Sequence, residues 1–278
     1  MKSFVINDSA NDGYIAEIKK DTLEICVPDN INGDYITVGD LKEKISKKYI
    51  SGITKVIIGD RIKDISNLSF VGYDKLESIY LGADVEIVNP ARFYGAFNLS
   101  EIVVSNSNKF FKVCDNVLFS YDMKTLIKYA QGKRNDFYEI PQCVEIIGKY
   151  AFACSIYLNC VKVGENIKSI GEYAFHNAWH LRHIYIGEGV KDICGRYVFS
   201  GNDELELWLC EGYLVVGGKA NSKIASWCEN EGVNFYALKD NEIDDFLALP
   251  LPELKPFLFG NDKYLRHSSK IKQKDYSF

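Results

Sequence analysis

The sequence predicts an α/β solenoid, in which short structural repeats stack along a common axis. The first observation is a phrase that recurs as IGKYAFACSIYL at 147–158, IGEYAFHNAWHL at 170–181 and ICGRYVFSGNDEL at 193–205. Its phenylalanines, Phe152, Phe175 and Phe199, are 23 and 24 residues apart. The second observation is an apolar strand pattern that recurs at the same spacing. A fixed period in the twenties is typical of stacked repeat architectures.

The strand pattern predicts one β-strand in each repeat. It occurs at 53–58, 76–81, 158–163 and 181–186. In the third copy Leu158, Val161 and Val163 are apolar and alternate with polar residues over the second half, which is typical of a half-buried strand. Gly164 then ends the strand and turns the chain. We expect the apolar positions to point into the core and the residues between them to face solvent on a concave sheet.

A second apolar pair follows the turn and predicts a short extended piece. Ile167 and Ile170 have Val190 and Ile193 as counterparts one repeat later. The Ala-Phe segment that comes next, with Phe175 inward, is predicted to be a short helical turn on the convex side. One such unit cannot bury its own apolar side, so the core must be continuous through the stack.

These motifs together resemble the BspA-like class of leucine-rich repeats. The pattern L-x-x-I-x-I-[PG]-x-x-V-x-x-I-G-x-x-A-F-x-x-C-x-x-L fits best over 135–204, and 106–133 is similar to the family's interrupted repeat, which contains a hairpin. In this chain Asn116 replaces the glycine of that hairpin and Ala130 replaces its proline. The resemblance implies a leucine-rich repeat solenoid, a right-handed β/α superhelix with a concave parallel β-sheet and short convex helices.

The chain is expected to divide into three segments. These are an N-terminal cap at 1–22, a BspA-like leucine-rich repeat domain at 23–238 and a proline-containing tail at 239–278. The repeat domain should hold about eight repeats, with the hairpin-containing interrupted repeat at 99–134. The tail carries an apolar string, and we expect it either to dock on the last repeats or to mediate self-association or partner binding through 240–259.

Composition and charge argue against some classes of protein, such as nucleic-acid binders and membrane-spanning proteins. A net charge of −5 is mild, whereas nucleic-acid binders usually carry a basic stripe, so no nucleic-acid partner is expected. No apolar run approaches the roughly 20 residues of a membrane span. The first twenty residues lack the apolar stretch of a signal peptide, which predicts a cytoplasmic location, with the cell surface or secretion as the alternative. The eight cysteines include no CxxC pair and are expected to be reduced and mostly structural.

The histidines offer the best candidate for metal chemistry. His176 and His180 are four residues apart, a spacing that suits zinc on a helix, but His183 belongs to the next strand on the concave side. We therefore expect a polar convex surface at the first two, with no metal, no cofactor and no catalytic residues. A metal-dependent hydrolase remains a distant alternative.

The solvent-facing strand positions predict a binding surface. One column reads Ile57, Tyr80, Val103, Glu139, Lys162, Tyr185 and Leu209, and its neighbour reads Lys55, Ser78, Glu101, Phe137, Cys160, His183 and Leu207. Aromatic and aliphatic residues there are typical of protein interfaces, although they can also stabilise cross-strand pairs. The candidate binding residues, expected on one continuous strip, are Tyr80, Val103, Phe137, Glu139, Lys162, His183, Tyr185, Leu207 and Leu209.

The sequence thus predicts a non-enzymatic protein-binding repeat protein that serves as a scaffold or adaptor and binds another protein through its concave face. A surface adhesin that binds host or bacterial proteins is the alternative function.

Overall fold

A computed structural model describes residues 4–7, 14–29, 36–41, 44–195, 197–199 and 214–248, with residues 4–7 and 36 described by their backbone alone. The candidate residues Leu207 and Leu209, and the tail beyond residue 248, lie outside the described residues.

The described chain is built mainly of short strands. The strands are β1 Phe4–Asn7, β2 Ile15–Lys19, β3 Thr22–Cys26, β4 Ile36–Thr37, β5 Lys55–Ile58, β6 Ile62–Asp64, β7 Ser78–Leu81, β8 Glu101–Val104, β9 Phe111–Cys114, β10 Val117–Ser120, β11 Thr125–Tyr129, β12 Phe137–Glu139, β13 Ile146–Ile147, β14 Cys160–Val163, β15 Ser169–Ile170, β16 His183–Ile186, β17 Asp192–Ile193, β18 Val215–Gly218 and β19 Phe235–Ala237. The α-helices are α1 Lys47–Ile50, α2 Lys223–Glu231 and α3 Ile243–Ala248, and 3-10 helices cover Pro90–Phe93 and Asp240–Glu242.

The first strand of each repeat stacks on its neighbours in two sheets. The N-terminal sheet has the order β1-β2-β3-β5-β7-β8, and the C-terminal sheet has the order β12-β14-β16-β18-β19. Pairing is parallel from β3 onward, and between the regular repeats it joins residues 23 apart, as in Val56 with Ile79 and Val161 with Ile184. The spacing differs at the ends of the stack, where Thr22 pairs with Lys55 and His183 with Val215. The predicted period is therefore the spacing of the stack itself.

The single continuous sheet expected from the sequence is not observed. The ladder ends at β8 and begins again at β12, and the residues between these strands form the long hairpin-containing repeat. Because β8 and β12 are not paired, the outward residues fall on two sheets rather than on one uninterrupted strip.

The second strands form a further ladder on another side of each repeat. Strands β11, β13, β15 and β17 pair in parallel, and β10 and β9 continue the sheet beyond β11 through antiparallel pairs. The β9–β10 turn has Asp115 and Asn116 in the left-handed region, at φ 52° and 57°, which suits a two-residue hairpin and explains how asparagine replaces glycine there. The Lys133 ammonium donates to the Asp115 carbonyl at 2.7 Å and fastens the hairpin to the repeat stack.

The convex helices expected after the second strands are not confirmed at the Ala-Phe segments, which form turns at 149–154 and 172–177. Tyr150 and Cys154 adopt φ of 57° and 62°, and Tyr173 and Asn177 repeat this conformation 23 residues later. A left-handed residue at both ends of each segment leaves no room for a regular α-helix.

A phenylalanine spine runs beneath these turns. The Phe152 and Phe175 rings stack with their centroids 4.9 Å apart, and Phe175 stacks on Phe199 at 5.3 Å. Tyr129 continues the stack at 5.3 Å from Phe152, so the interrupted repeat shares the same core. The strand leucines and isoleucines are buried beside the spine, as the pattern predicts.

The last described elements close the stack. In α2 the Ser222 hydroxyl accepts from the Ala225 amide at 3.3 Å, and Gly232 ends the helix with φ 71°. On the inner side of this helix, Ile224 and Cys228 are buried in the core. Helix α2 and strand β19 therefore cover the apolar end that an unfinished solenoid would expose.

The cysteines depart in part from the expectation of burial. All seven described cysteines are free, but Cys114, Cys143 and Cys194 are exposed. Cys114 ends a strand of the hairpin, and the other two lie outside regular strands at the surface.

Candidate functional site

In the part of the chain that the structure describes, the outward face of the N-terminal sheet is partly exposed to solvent. Ile57, Tyr80 and Val103 stand side by side in register on β5, β7 and β8, and Val103 is 37% exposed. Their flanking column carries polar residues, including Lys55 and Glu101. We call Ile57, Tyr80 and Val103 the open strip. It has an apolar centre with a charged margin, as protein interfaces do.

The outward face of the C-terminal sheet is covered by the chain itself. Helix α3 lies across β14 and β16 and places Phe246, only 2% exposed, over Gly217 of β18. The Phe246 ring meets His183 edge-on, with centroids 5.4 Å apart, and stacks against Tyr236 at 6.0 Å. The sheet therefore already buries a polypeptide segment on the face predicted to bind a partner.

Gly217 makes this docking possible. A Cβ atom at that position would stand 2.7 Å from both the Leu238 side chain and the Phe246 ring. Only a residue without a side chain leaves space for the ring to approach the strand backbone. The glycine pair at 217–218 is a sequence signal for such a close approach of another segment to a strand.

Polar contacts also hold α3 against the sheet. The Cys160 thiol donates to the Leu247 carbonyl at 3.4 Å, and the Lys162 ammonium lies 3.4 Å from carboxylate oxygens of both Asp244 and Glu139. Partial burial disfavours the charged form of Lys162, but the two carboxylates outweigh it and raise its pKa. Lys162 therefore remains an ammonium that joins the strand face to the tail.

The pKa values of His183 and Cys160, under α3, are both shifted towards the neutral form of the side chain. Burial, aided by the Arg182 charge, lowers the pKa of His183, and burial raises the pKa of the Cys160 thiol. The thiol sulfur and His183 Nδ1 are 3.8 Å apart, yet these two shifts favour a neutral pair over a thiolate and an imidazolium. Tyr185 donates to the Glu165 carboxylate at 2.7 Å, and burial and this partner raise its pKa.

The structure therefore divides the predicted site residues into distinct groups. Val103, Phe137 and Glu139 are exposed, and Tyr80 and Lys162 are half-buried. His183 and Tyr185 are buried by the tail, so they are not available on a free surface. The strand that pairs with β16 is β18, in which Val215 lies opposite His183 and Gly217 opposite Tyr185. These are the positions that the sequence pattern assigned to Leu207 and Leu209.

The three histidines do not converge. His176 is buried among the rings of Tyr150 and Tyr173 rather than lying on a polar convex surface, because the turn there folds its side chain inward. His180 is exposed, and His183 lies on the strand face. Across the described ranges, no three His, Cys, Asp or Glu side chains are grouped so that they could hold a metal ion.

The structure has a cleft on the turn side that was not predicted from the sequence. It has a volume of about 310 Å³ and lies where the 3-10 helix at Pro90–Phe93 meets the later turns, with Tyr94, Gln131 and Cys154 in its lining. Lys128 is fully buried nearby and donates to the Ala153 carbonyl at 2.8 Å. Burial lowers the pKa of Lys128 to about 8. In β11 Lys128 alternates in step with the buried Leu126, which is the sequence signal for an inward-facing side chain at this position.

Comparison with known families identifies the repeats. The profile of the BspA type leucine rich repeat region matches six copies, over residues 34–126 and 129–214. The chain belongs to the BspA-type leucine-rich repeat family. The matched residues include every repeat whose strand carries the open strip, and also the hairpin β9–β10.

Solved leucine-rich repeat proteins are similar over most of this chain. One from Eubacterium ventriosum is 15% identical with a TM-score of 0.37, covering 79% of this chain and 80% of its own. A cell surface protein from Faecalibacterium prausnitzii is 16% identical with a TM-score of 0.39, covering 90% and 99%. The pneumococcal vaccine antigen PcpA is 15% identical with a TM-score of 0.40, covering 85% and 99%.

A comparison with curated protein sequences found no match. No helix in the described parts of the leucine-rich repeat chain combines the length and the apolar character that a membrane crossing requires.

Proposed function

We propose that this leucine-rich repeat protein is a non-enzymatic binding module, a scaffold or adaptor, which holds a partner polypeptide against the outward face of its N-terminal sheet. One observation carries the proposal: the equivalent face of the C-terminal sheet already buries a peptide segment, α3, against Tyr185 and His183. The same strand geometry, repeated 23 residues at a time, presents the open strip in the other sheet.

The chemistry of the open strip suits a polypeptide ligand. Tyr80 and Val103 supply apolar area at the centre, and releasing water from such area is the main favourable term in association. Lys55 and Glu101 offer charges of both signs at the margin, where they orient a partner and speed its approach more than they add affinity. Such a site binds and positions its ligand without reacting with it.

The proposal can be tested by photo-crosslinking in cells. A photoreactive amino acid at Tyr80 should capture a specific partner, whereas the same group at Trp179, which is 50% exposed on the turn side, should not. The captured protein is then identified by mass spectrometry and purified for titration calorimetry.

The titration compares variants of the two faces. Tyr80→Ala with Val103→Ala should weaken binding by more than about 2 kcal/mol, the scale of interface hot spots. The matched control His180→Ala, on the exposed turn side, should leave the affinity unchanged. Equal capture from Trp179, or full affinity in the double variant, would refute the assignment of the face.

A further inference from the structure

The interrupted repeat changes the row of turns on the turn side of the molecule. The repeats after it have turns at 149–154 and 172–177, and the repeat before it has the 3-10 helix at Pro90–Phe93 in this place. In the interrupted repeat, β11 instead runs to Tyr129, whose ring joins the phenylalanine spine, and a short turn at 131–132 follows. The cleft of about 310 Å³ lies here, between the 3-10 helix and the turn at 149–154.

A stack of tyrosines ends at this cleft. Tyr150, Tyr173 and Tyr197 stack face to face, with centroids 4.9 and 5.3 Å apart and planes 6° and 8° from parallel. We call these three residues the tyrosine stack. Tyr173 covers one face of Tyr150, and Tyr150 also lines the cleft. Across the cleft, the 3-10 helix contributes Ala91, which has no ring with which to continue the stack.

Hydrogen bonds fix the separation of the two walls. Gln131 is 1% exposed and lies between them. Its side-chain amide donates to the Phe93 carbonyl at 2.8 Å, and its own carbonyl accepts from the Ile156 amide at 3.3 Å. At the surface, the Phe97 and Trp179 rings join the two sides, with centroids 5.8 Å apart. A ligand therefore meets a preformed cleft and loses little affinity to reorganisation of the protein.

The lining of the cleft suits one flat, uncharged ring. None of the eight described residues that line it is Asp, Glu, Lys or Arg, and burial raises the pKa of the Cys154 thiol, which favours its neutral form. Aromatic rings attract each other in offset parallel stacks, and the uncovered side of Tyr150 offers such a surface. At about 310 Å³ the cleft is near the lower end of ligand pockets, about 300–1,000 Å³, so it holds one ring rather than a large ligand.

We propose that this cleft is a binding site for a single uncharged planar aromatic ring, which stacks on Tyr150 and extends the tyrosine stack towards Ala91. A free aromatic compound and an aromatic side chain of a peptide share this chemistry, and the experiment distinguishes these two sources. The proposal goes beyond the proposed function and does not rest on it, because the cleft is on the turn side and not on the sheet face.

The test titrates the full chain with p-cresol, which is the side chain of tyrosine without its backbone. The alanine methyl groups are labelled with carbon-13 and observed by nuclear magnetic resonance. We expect ring-current shifts at the methyl groups of Ala91 and Ala153, because both residues line the cleft. The control ligand 4-methylcyclohexanol has a similar size but no aromatic ring, and it should bind more weakly and cause no ring-current shift.

Matched variants locate the bound ring. Tyr150→Leu removes the stacking surface and should weaken p-cresol binding about fivefold, the scale of one aromatic pair. Tyr197→Leu removes a ring from the other end of the tyrosine stack and should leave the affinity unchanged. Ala91→Leu, at a half-buried position on the wall, should fill the cleft and abolish binding. Circular dichroism checks that each variant remains folded.

N-acetyltyrosinamide distinguishes the two sources of the ring. Tighter binding than p-cresol would support the site with a peptide side chain as its ligand, and weaker binding would support it with a free aromatic compound. Unmoved signals of Ala91 and Ala153 at millimolar p-cresol would overturn the proposal. Equal shifts caused by 4-methylcyclohexanol, or an equal loss of affinity in Tyr150→Leu and Tyr197→Leu, would also overturn it.

Discussion

The phenylalanine spine allows the sharpest test of the repeat architecture. Phe175 is 2% exposed and lies between Phe152, at 4.9 Å, and Phe199, at 5.3 Å. Phe175→Ala would leave a ring-sized cavity between two rings that belong to neighbouring repeats. The backbones of these repeats are joined by hydrogen bonds, such as the Phe175 amide to the Val198 carbonyl at 2.8 Å, and so cannot collapse freely into the space.

The expected magnitude follows from these contacts. Replacing a buried phenylalanine by alanine costs about 3–5 kcal/mol, and poor collapse places a site near the upper end. We therefore expect the free energy of unfolding to fall by about 4–5 kcal/mol. Phe137→Ala, at a ring that is 44% exposed, should cost about 1 kcal/mol or less.

Urea unfolding measures both variants, followed by far-UV circular dichroism and by tryptophan fluorescence. The two probes must coincide before a free energy is assigned, since stacks of repeats can lose cooperativity. Equal costs for Phe175→Ala and Phe137→Ala, or a cost below about 1 kcal/mol for the former, would show that the spine is not the core.

Two further predictions concern a buried charge and the seat of the tail. Burial lowers the pKa of Lys128 to about 8 from its ordinary 10.5, so between these values the unfolded chain binds a proton that the folded chain lacks, and stability should rise with pH. Urea midpoints across this range should show that Lys128→Met loses that rise, and an unchanged pH profile would contradict the burial of the ammonium. Gly217→Val should displace α3, because its Cβ meets the Phe246 ring at 2.7 Å, and thiol labelling of Cys160 should become faster. Gly164→Val, where a Cβ meets no atom within 4 Å, is the control, and equal labelling in the two variants would show that α3 does not depend on Gly217.

Local patterns predicted the repeating parts of the fold well. The apolar alternation at 158–163 and 181–186 gives strands whose core residues are buried, because the alternation of side chains between the two faces is a property of the strand itself. The conformation of the Ala-Phe segment was harder to predict, because a helix and a compact turn both place a phenylalanine on the inner side. The left-handed backbone conformation of Tyr150 and Cys154 makes the segment a turn, and neither residue type indicates that conformation in the sequence.

The binding face shows where the pattern stops being informative. Tyr80 and Tyr185 occupy equivalent positions in the repeat, yet Tyr80 is half-buried on the open strip and Tyr185 is 2% exposed under α3. The repeat predicts where each side chain leaves the strand. It does not predict which distant segment of the chain lies over that point.

The sequence by itself determined the period, the core positions and the family of this protein, because each of these depends on residues that repeat at short range. Tertiary structure alone decided the break between β8 and β12, the pairing of β18 with β16, and the docking of Phe246 over Gly217. These features depend on contacts between segments far apart in the chain, where the shape of the surface rather than the residue pattern selects the neighbour. That selection divides the predicted binding face into an open half and a half already filled by the tail.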